Sequence, residues 1–261
     1  MERTENKDEN QFTSEGSDKK VKEIYKTPIE FIFLIRGRNC ATTIEKCIRS
    51  IRRQTYKHWY AVIALDAPID KSEEITRSLI SGDSRFYLTV NKKQLGVCGN
   101  MYNIIRYALI AFNPDDYNVG VIVDADDWIS KNALKTVEGV FRKNPDIDIT
   151  YGSYRKQSVK RRTKISNSYP KHGNVRKLPW RGSHLKCIKW KILKKVKQQW
   201  FLHKGKWLGA ASDLALMFNC IEISGLHRVR HVHKIIYYWN NKPNKKKRTL
   251  EKRCEKILRN S

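Results

Sequence analysis

The chain has 261 residues, enough for one large domain or two small ones with a substantial core. Its 53 Lys and Arg against 26 Asp and Glu leave a formal net charge of +27, which implies a polyanionic partner such as nucleic acid or an anionic membrane surface. No apolar run approaches the ~20 residues that span a bilayer, and Met1 to Lys20 lacks the apolar core of a signal peptide, so a cytoplasmic protein without a transmembrane segment is expected. The six cysteines form no C-x-x-C pair and read as reduced thiols, neither a disulfide frame nor a zinc site.

Residues 1–26 are rich in Glu, Lys, Asn and Ser and read as disordered. From there strand and helix periods alternate. Ile29 to Ile35 is an apolar strand broken only by Glu30, and Ile44, Cys47, Ile48 and Ile51 recur at helical spacing. Trp59 to Leu65 is a second strand, and Asp70 with Glu73 forms a capping-box-like start to a short helix carrying Ile75 and Leu79. Arg85 to Val90 is a third strand, followed by a helix marked by Met101, Ile104, Ile105, Ala108 and Leu109. Val119 to Val123 is a fourth strand, and Ser130 caps a helix through Phe141 that stops before Asn144-Pro145. This order predicts an α/β fold, a mostly parallel sheet covered by helices on both faces.

The fourth strand stops at Asp124-Ala125-Asp126-Asp127. Ligands of open α/β sheets bind outside the carboxyl ends of strands, and Asp124 and Asp126 are spaced to converge on one hard divalent cation. A bare D-x-D is equally the pattern of a solvated acidic turn. Downstream the charge pattern changes. Between Asp148 and Glu222 the one carboxylate is Asp213, set among Lys and Arg such as Lys160, Arg161, Arg162, Arg176 and Arg181. A general Lys bias would not remove acids so selectively, so this charge is local.

Taken together, the chain from Pro28 to Trp239 resembles a nucleotide-sugar glycosyltransferase of the GT-A fold, family 2. Arg36-Gly37-Arg38-Asn39, Gln54-Thr55-Tyr56, Asp66-Ala67-Pro68-Ile69-Asp70, the segment Asn91 through Gly96 to Asn103, and Asp124-Ala125-Asp126-Asp127 carry the resemblance by their order and spacing. It implies a single Rossmann-like domain, with residues 27–151 binding the nucleotide-sugar and a basic acceptor-side half, 152–261. It also implies that Arg38, Asp66, Asn103 and Asp124 bind the donor, with Asp66 accepting the N3–H of uracil or thymine. Asp124 and Asp126 would hold Mn²⁺ or Mg²⁺ on the diphosphate. Asp213, at the start of a helix, would be the base of an inverting transfer, where the bland alternative is an N-terminal cap. Arg181, His184 and Trp180 fall in the acceptor-site segment and would touch acceptor or diphosphate. Two positions depart from the family: Arg38 replaces a stacking aromatic, and Leu65 replaces the first acid of the nucleoside turn, which leaves the nucleobase open.

His231 and His233 share a strand face and are expected to be structural, and Lys245-Lys246-Lys247-Arg248 reads either as a solvated run or as a loop over a polyanion. The expected reaction moves a hexose from a UDP-sugar, UDP-glucose for example, to an acceptor hydroxyl. Two acceptors stay open: a hydroxymethylated base in DNA, which fits the charge, and a lipid-linked or surface glycan at the cytoplasmic membrane face, which fits the family and would give peripheral membrane contact. From another class comes a non-catalytic nucleic-acid binder on the same scaffold. Four carboxylates retained in one cleft argue against it.

Overall fold

The computed structural model describes residues 27–157, 163–164, 166–240 and 245–261. The expectations for residues 1–26 and for Lys160, Arg161 and Arg162 lie outside them. In β1 (Phe31–Gly37) alternate residues serve two cores: Phe31, Phe33 and Ile35 face one side, Ile32 and Leu34 the other, and all are fully buried. The same alternation in β2 (Trp59–Leu65) and β4 (Val119–Asp124) makes a sheet that needs cover on both faces. Helices α1 (Ile44–Arg52) and α4 (Ala133–Lys143) cover one face, and α3 (Gly96–Phe112) covers the other. Between them, α2 (Ser72–Ile80) leads into the edge strand β3 (Phe86–Val90). No helix among the described residues is long and apolar enough to cross a membrane.

The sheet continues past β4. Short β5 (Trp128–Ile129), β6 (Ile149–Lys156), two-residue β7 (Thr163–Lys164), β8 (Lys186–Lys189) and β11 (Val229–Trp239) complete the order β3-β2-β1-β4-β8-β6-β11-β5, with β7 on β6. The pairs β1–β2, β1–β4, β2–β3 and β6–β11 are parallel, while β8 enters antiparallel between β4 and β6. On the α3 side α5 (Trp190–Leu193), the hairpin of β9 (Leu202–His203) and β10 (Lys206–Trp207), α6 (Ser212–Ser224) and α7 (Lys245–Arg259) complete the core. The expected division at residues 151 and 152 falls inside β6, so both halves build one sheet.

Two local expectations differ. The fourth helix starts at Ala133 rather than behind Ser130, because β5 pairs with Tyr237 and Tyr238 of β11 and Ser130 N–H donates to the Ile236 carbonyl, holding 128–130 extended. Asp70 accepts from the Ser72 N–H (3.0 Å) and the Ala41 N–H (3.2 Å), while Glu73 pairs with Arg77 instead of closing a capping box. All six cysteines are free and buried.

Candidate active site

Parallel register places Arg36 of β1 directly beside Asp124 of β4, and Gly37 beside Leu65 of β2. The carboxyl ends of these strands open into a cleft of about 440 Å³, a volume suited to a small-molecule ligand. Gly37 is required by the crossing itself: a Cβ there would stand 2.6 Å from the Ala125 Cβ.

Asp213 reaches the cleft from the other side. Helix α6 is preceded by Ala211 in the left-handed region (φ 61°) and has no side-chain cap hydrogen bond, so Asp213, in the first turn, is not an N-cap. Its side chain, 23% exposed, accepts from Arg36 Nη2 at Oδ1 (2.9 Å) and meets Lys186 Nζ at Oδ2 (2.8 Å). Burial alone would raise its pKa, but the Lys186 and Arg36 cations outweigh it and hold the carboxyl well below the usual range. Arg36 also ion-pairs with Asp124 Oδ1 (2.9 Å) and donates to Ser212 Oγ (2.5 Å).

Lys186, on β8, is 1% exposed and also lies 3.2 Å from His184 Nδ1. A lysine ammonium only donates, so Nδ1 accepts and the imidazole proton sits on Nε2. The ring stacks on Tyr237 with centroids 4.5 Å apart and planes 13° apart. Burial first, then Lys186, pushes the His184 pKa down to about 3, so the ring is neutral at ordinary pH.

The acidic turn divides by burial. Asp126 is exposed and Asp124 is 28% exposed at its side chain, and both line the cleft. Asp127 is 1% exposed and accepts from Tyr237 O–H (2.6 Å) and the Asn240 N–H (2.8 Å), which ties the turn to the end of β11. Burial, with Asp124 and Asp126 adding to it, pushes its pKa up to about 8. Asp124 and Asp126 therefore face the cleft while Asp127 faces inward. Two accessible carboxylates that share a cleft fit a hard divalent cation. No cluster of three or more His, Cys, Asp or Glu suited to a metal occurs among the described residues, so the remaining ligands would be substrate oxygens and water.

On the nucleotide side Asp66 is 4% exposed, and both oxygens are engaged by its own chain. Oδ1 accepts from the Leu95 N–H (2.8 Å) and Asn91 Nδ2 (3.0 Å), and Oδ2 from the Gly96 N–H (2.8 Å). It lines the cleft, but its geometry is first that of an anchor for loop 91–96. Asn103 lies outside the cleft and donates to Asn91 Oδ1 (2.6 Å); the neighbouring asparagine that lines the cleft is Asn100. Arg38 lines the cleft.

Of the acceptor-segment residues, His184 alone reaches the cleft. Trp180 packs edge-on against Phe218 (5.7 Å) and Arg181 donates to the Ser168 carbonyl, both outside the cleft lining. His231 is buried against Ser153 Oγ (3.1 Å), as its strand position implied, whereas His233 is exposed. The side chains of Lys245, Lys246 and Lys247 lie outside the described residues, and Arg248 is exposed.

The part Arg36 plays between the two carboxylates, the buried Lys186 behind Asp213, and the cleft-lining Trp239 and Glu251 were not read from the sequence. Trp239 stands edge-on to Tyr154 (5.1 Å) under Lys156, and Glu251 enters from α7. Nothing local marks Lys186 out, since β8 reads Lys-Cys-Ile-Lys with a lysine at each end.

A sequence model of glycosyl transferase family 2 matches residues 34–204. No curated protein sequence matches significantly. Among solved structures, residues 1–349 of TarS from S. aureus superpose with a TM-score of 0.61 at 16% identity, over 81% of this chain and 60% of that one. The same fragment with UDP-GlcNAc gives 0.62 at 14% identity, over 83% and 60%. The mannosyltransferase PcManGT from Pyrobaculum calidifontis, in complex with GDP-Man and Mn²⁺, gives 0.54 at 14% identity, over 88% and 65%. The chain thus spans less than two thirds of each of these proteins, and the likeness is one of fold.

Proposed function

This chain belongs to glycosyl transferase family 2, and from that premise we propose that it is a metal-dependent inverting hexosyltransferase using a UDP-sugar and a polyanionic acceptor. The observation that carries the reading is the meeting of Asp124, Asp126 and Asp213 in one cleft at the carboxyl ends of β1 and β4. Mn²⁺ or Mg²⁺ held by Asp124 and Asp126 would neutralise charge on the departing diphosphate, a contribution of several kcal/mol. The complexes of TarS with UDP and UDP-GlcNAc and of PcManGT with GDP-Man and Mn²⁺ support a nucleotide-sugar and a divalent ion here too.

Asp213 is the proposed proton acceptor. Lys186 and Arg36 keep it ionised, so it is ready at any working pH. A carboxylate so stabilised is a weak base, yet the acceptor hydroxyl becomes strongly acidic as its oxygen bonds to the anomeric carbon, and a weak base then suffices. Neutral His184 offers its Nε2–H as an uncharged donor beside that centre. Asp66 contributes chiefly by holding loop 91–96, and Arg38 supplies a guanidinium that can stack on the base or reach a phosphate.

For the acceptor, exposed lysines between Lys194 and Lys206 favour DNA with hydroxymethylated bases. The same surface would dock on anionic lipid, which keeps a lipid-linked or surface glycan as the second reading. The test is a panel of nucleotide-sugars against modified and unmodified DNA and against lipid-linked acceptors, with product read by mass spectrometry. In that assay Asp213→Asn should keep nucleotide affinity and lose turnover by ~10²–10⁴, the usual contribution of a positioned base. Loss of nucleotide binding with normal turnover per bound donor would make Asp213 structural, and turnover of no donor at all would leave a binding protein.

A further inference from the structure

One guanidinium touches both ends of the cleft. Arg36 Nε lies 2.9 Å from Asp124 Oδ1, Nη2 donates to Asp213 Oδ1 at 2.9 Å, and Nη1 donates to Ser212 Oγ at 2.5 Å and to the Val97 carbonyl at 3.4 Å. The side chain is 10% exposed and rises from β1 at the position paired with Asp124. Both carboxylates are in contact with Arg36.

We propose that Arg36 is a positioning residue that couples the metal carboxylate to the proton acceptor, competing with the divalent cation at Asp124 while fixing the Asp213 carboxylate. The inference rests on the proposed roles of Asp124 and Asp213. A guanidinium stays protonated under all working conditions, so it cannot relieve repulsion from a dication at Asp124 by losing a proton. Its presence therefore opposes metal binding. In exchange, one guanidinium serves both carboxylates: Nη2 donates to Asp213, while Nε stands against Asp124 as a charge contact without a hydrogen bond. With Lys186 on the opposite oxygen, the Asp213 carboxylate is held from two strands, β1 and β8. A lysine at position 36 would supply the charge without the guanidinium. A divalent cation held by Asp124 and Asp126 would take over Asp124 from Arg36, whose existing hydrogen bond to Asp213 would then keep the acceptor base in place.

A purely structural Arg36 predicts the opposite sign for metal affinity, since its loss would leave Asp124 unsupported. The experiment measures Mn²⁺ binding to the full chain by the electron paramagnetic resonance signal of free Mn²⁺, together with kcat, donor KM and a thermal melt. Arg36→Met should bind Mn²⁺ about tenfold more tightly, because a cation beside Asp124 is gone. Its kcat should fall by about 10², the scale of a misplaced reacting group. Arg36→Lys should keep Mn²⁺ affinity within about twofold and donor KM within about threefold, yet lose kcat on the scale of Arg36→Met. Unchanged or weaker Mn²⁺ binding by a folded Arg36→Met overturns the proposal, as does full kcat in Arg36→Lys. If Arg36→Met shows no cooperative melt, Arg36→Lys decides alone. Failure of the underlying reading looks different: Asp126→Ala would still bind Mn²⁺, or Asp213→Asn would turn over normally.

Discussion

His184 shows how much a single half-buried side chain gives up for its place. Its ring is stacked on Tyr237 and its Nδ1 accepts from Lys186, so protonation would bury a second cation next to the first. Its pKa of about 3 in the folded chain lies below the ordinary 6.5. As pH falls from about 6.5 towards 3 the unfolded chain takes up a proton that the folded chain refuses, so stability is lost through that window and is fully present above it. His184→Gln, which does not titrate, should flatten the fall of Tm between pH 6.5 and 4 in thermal melts taken across that range. The kcat/KM profile above pH 5.5 should also lack any inflection owed to this residue. A Tm that falls just as steeply in the variant would assign the acid sensitivity elsewhere. Asp124, Asp126 and Asp213 could be read before the structure because carboxylates stand out in a chain this basic. The roles of Arg36 and Lys186 could not, although Arg36 opens a motif of the resemblance, since 53 Lys and Arg make any one of them uninformative. Their roles come from the β1–β4 register and from the entry of β8 beside β4, long-range pairings that local periodicity does not contain.

At the scale of elements, the strands and helices through residue 143 other than β5 were legible because the central strands read as continuous apolar runs and the helices as apolar stripes. The bounds of β2 were readable to the residue, and α4 was misplaced at its start only where β5 pairs with distant β11. Loop 91–96 is the element whose function was least visible. It is held by one carboxylate, Asp66, and by the asparagine chain in which Asn103 donates to Asn91, and Asn91 to both Asp66 and Asn100. Asp66→Asn keeps the shape but replaces an acceptor by an N–H₂ that faces the Leu95 or Gly96 N–H. It should cost about 1–3 kcal/mol in denaturant melts, the penalty for an unsatisfied buried group, and weaken nucleotide binding through disorder of the loop. A variant with weakened nucleotide binding and unchanged stability would instead make Asp66 a direct base contact, the role that the family resemblance implies.

Across the whole molecule, the acid-poor stretch divides into charge that the fold uses and charge that it displays. Lys186 and Lys189 are buried, Lys191 pairs with Asp148, Arg176 with Glu222, and Arg181 with the Ser168 carbonyl, so these cations are spent internally. Lys195, Lys197, Lys204 and Lys206 remain exposed, around half-buried Trp200 and the β9–β10 hairpin. If DNA is the acceptor, these lysines neutralise phosphates and release condensed counterions. Log K should then fall with log salt by about 0.9 per contact on duplex DNA. Changing all four to Gln should flatten that slope by about 0.9 for each contact actually made, and weaken binding to every sequence alike. Mn²⁺-dependent donor hydrolysis should stay as in the parent protein, because the four lie outside the cleft. An unchanged slope would move the DNA path to another face. Binding alone does not name the acceptor, because a membrane-docking surface also holds DNA at low salt, so the deciding measurement is product. Sugar on hydroxymethylated DNA, reduced in the four-lysine variant at moderate salt and restored at low salt, is the expected outcome. Transfer to a lipid-linked or glycan acceptor, with none to DNA from any donor, would sink the DNA reading and leave these lysines facing a lipid surface.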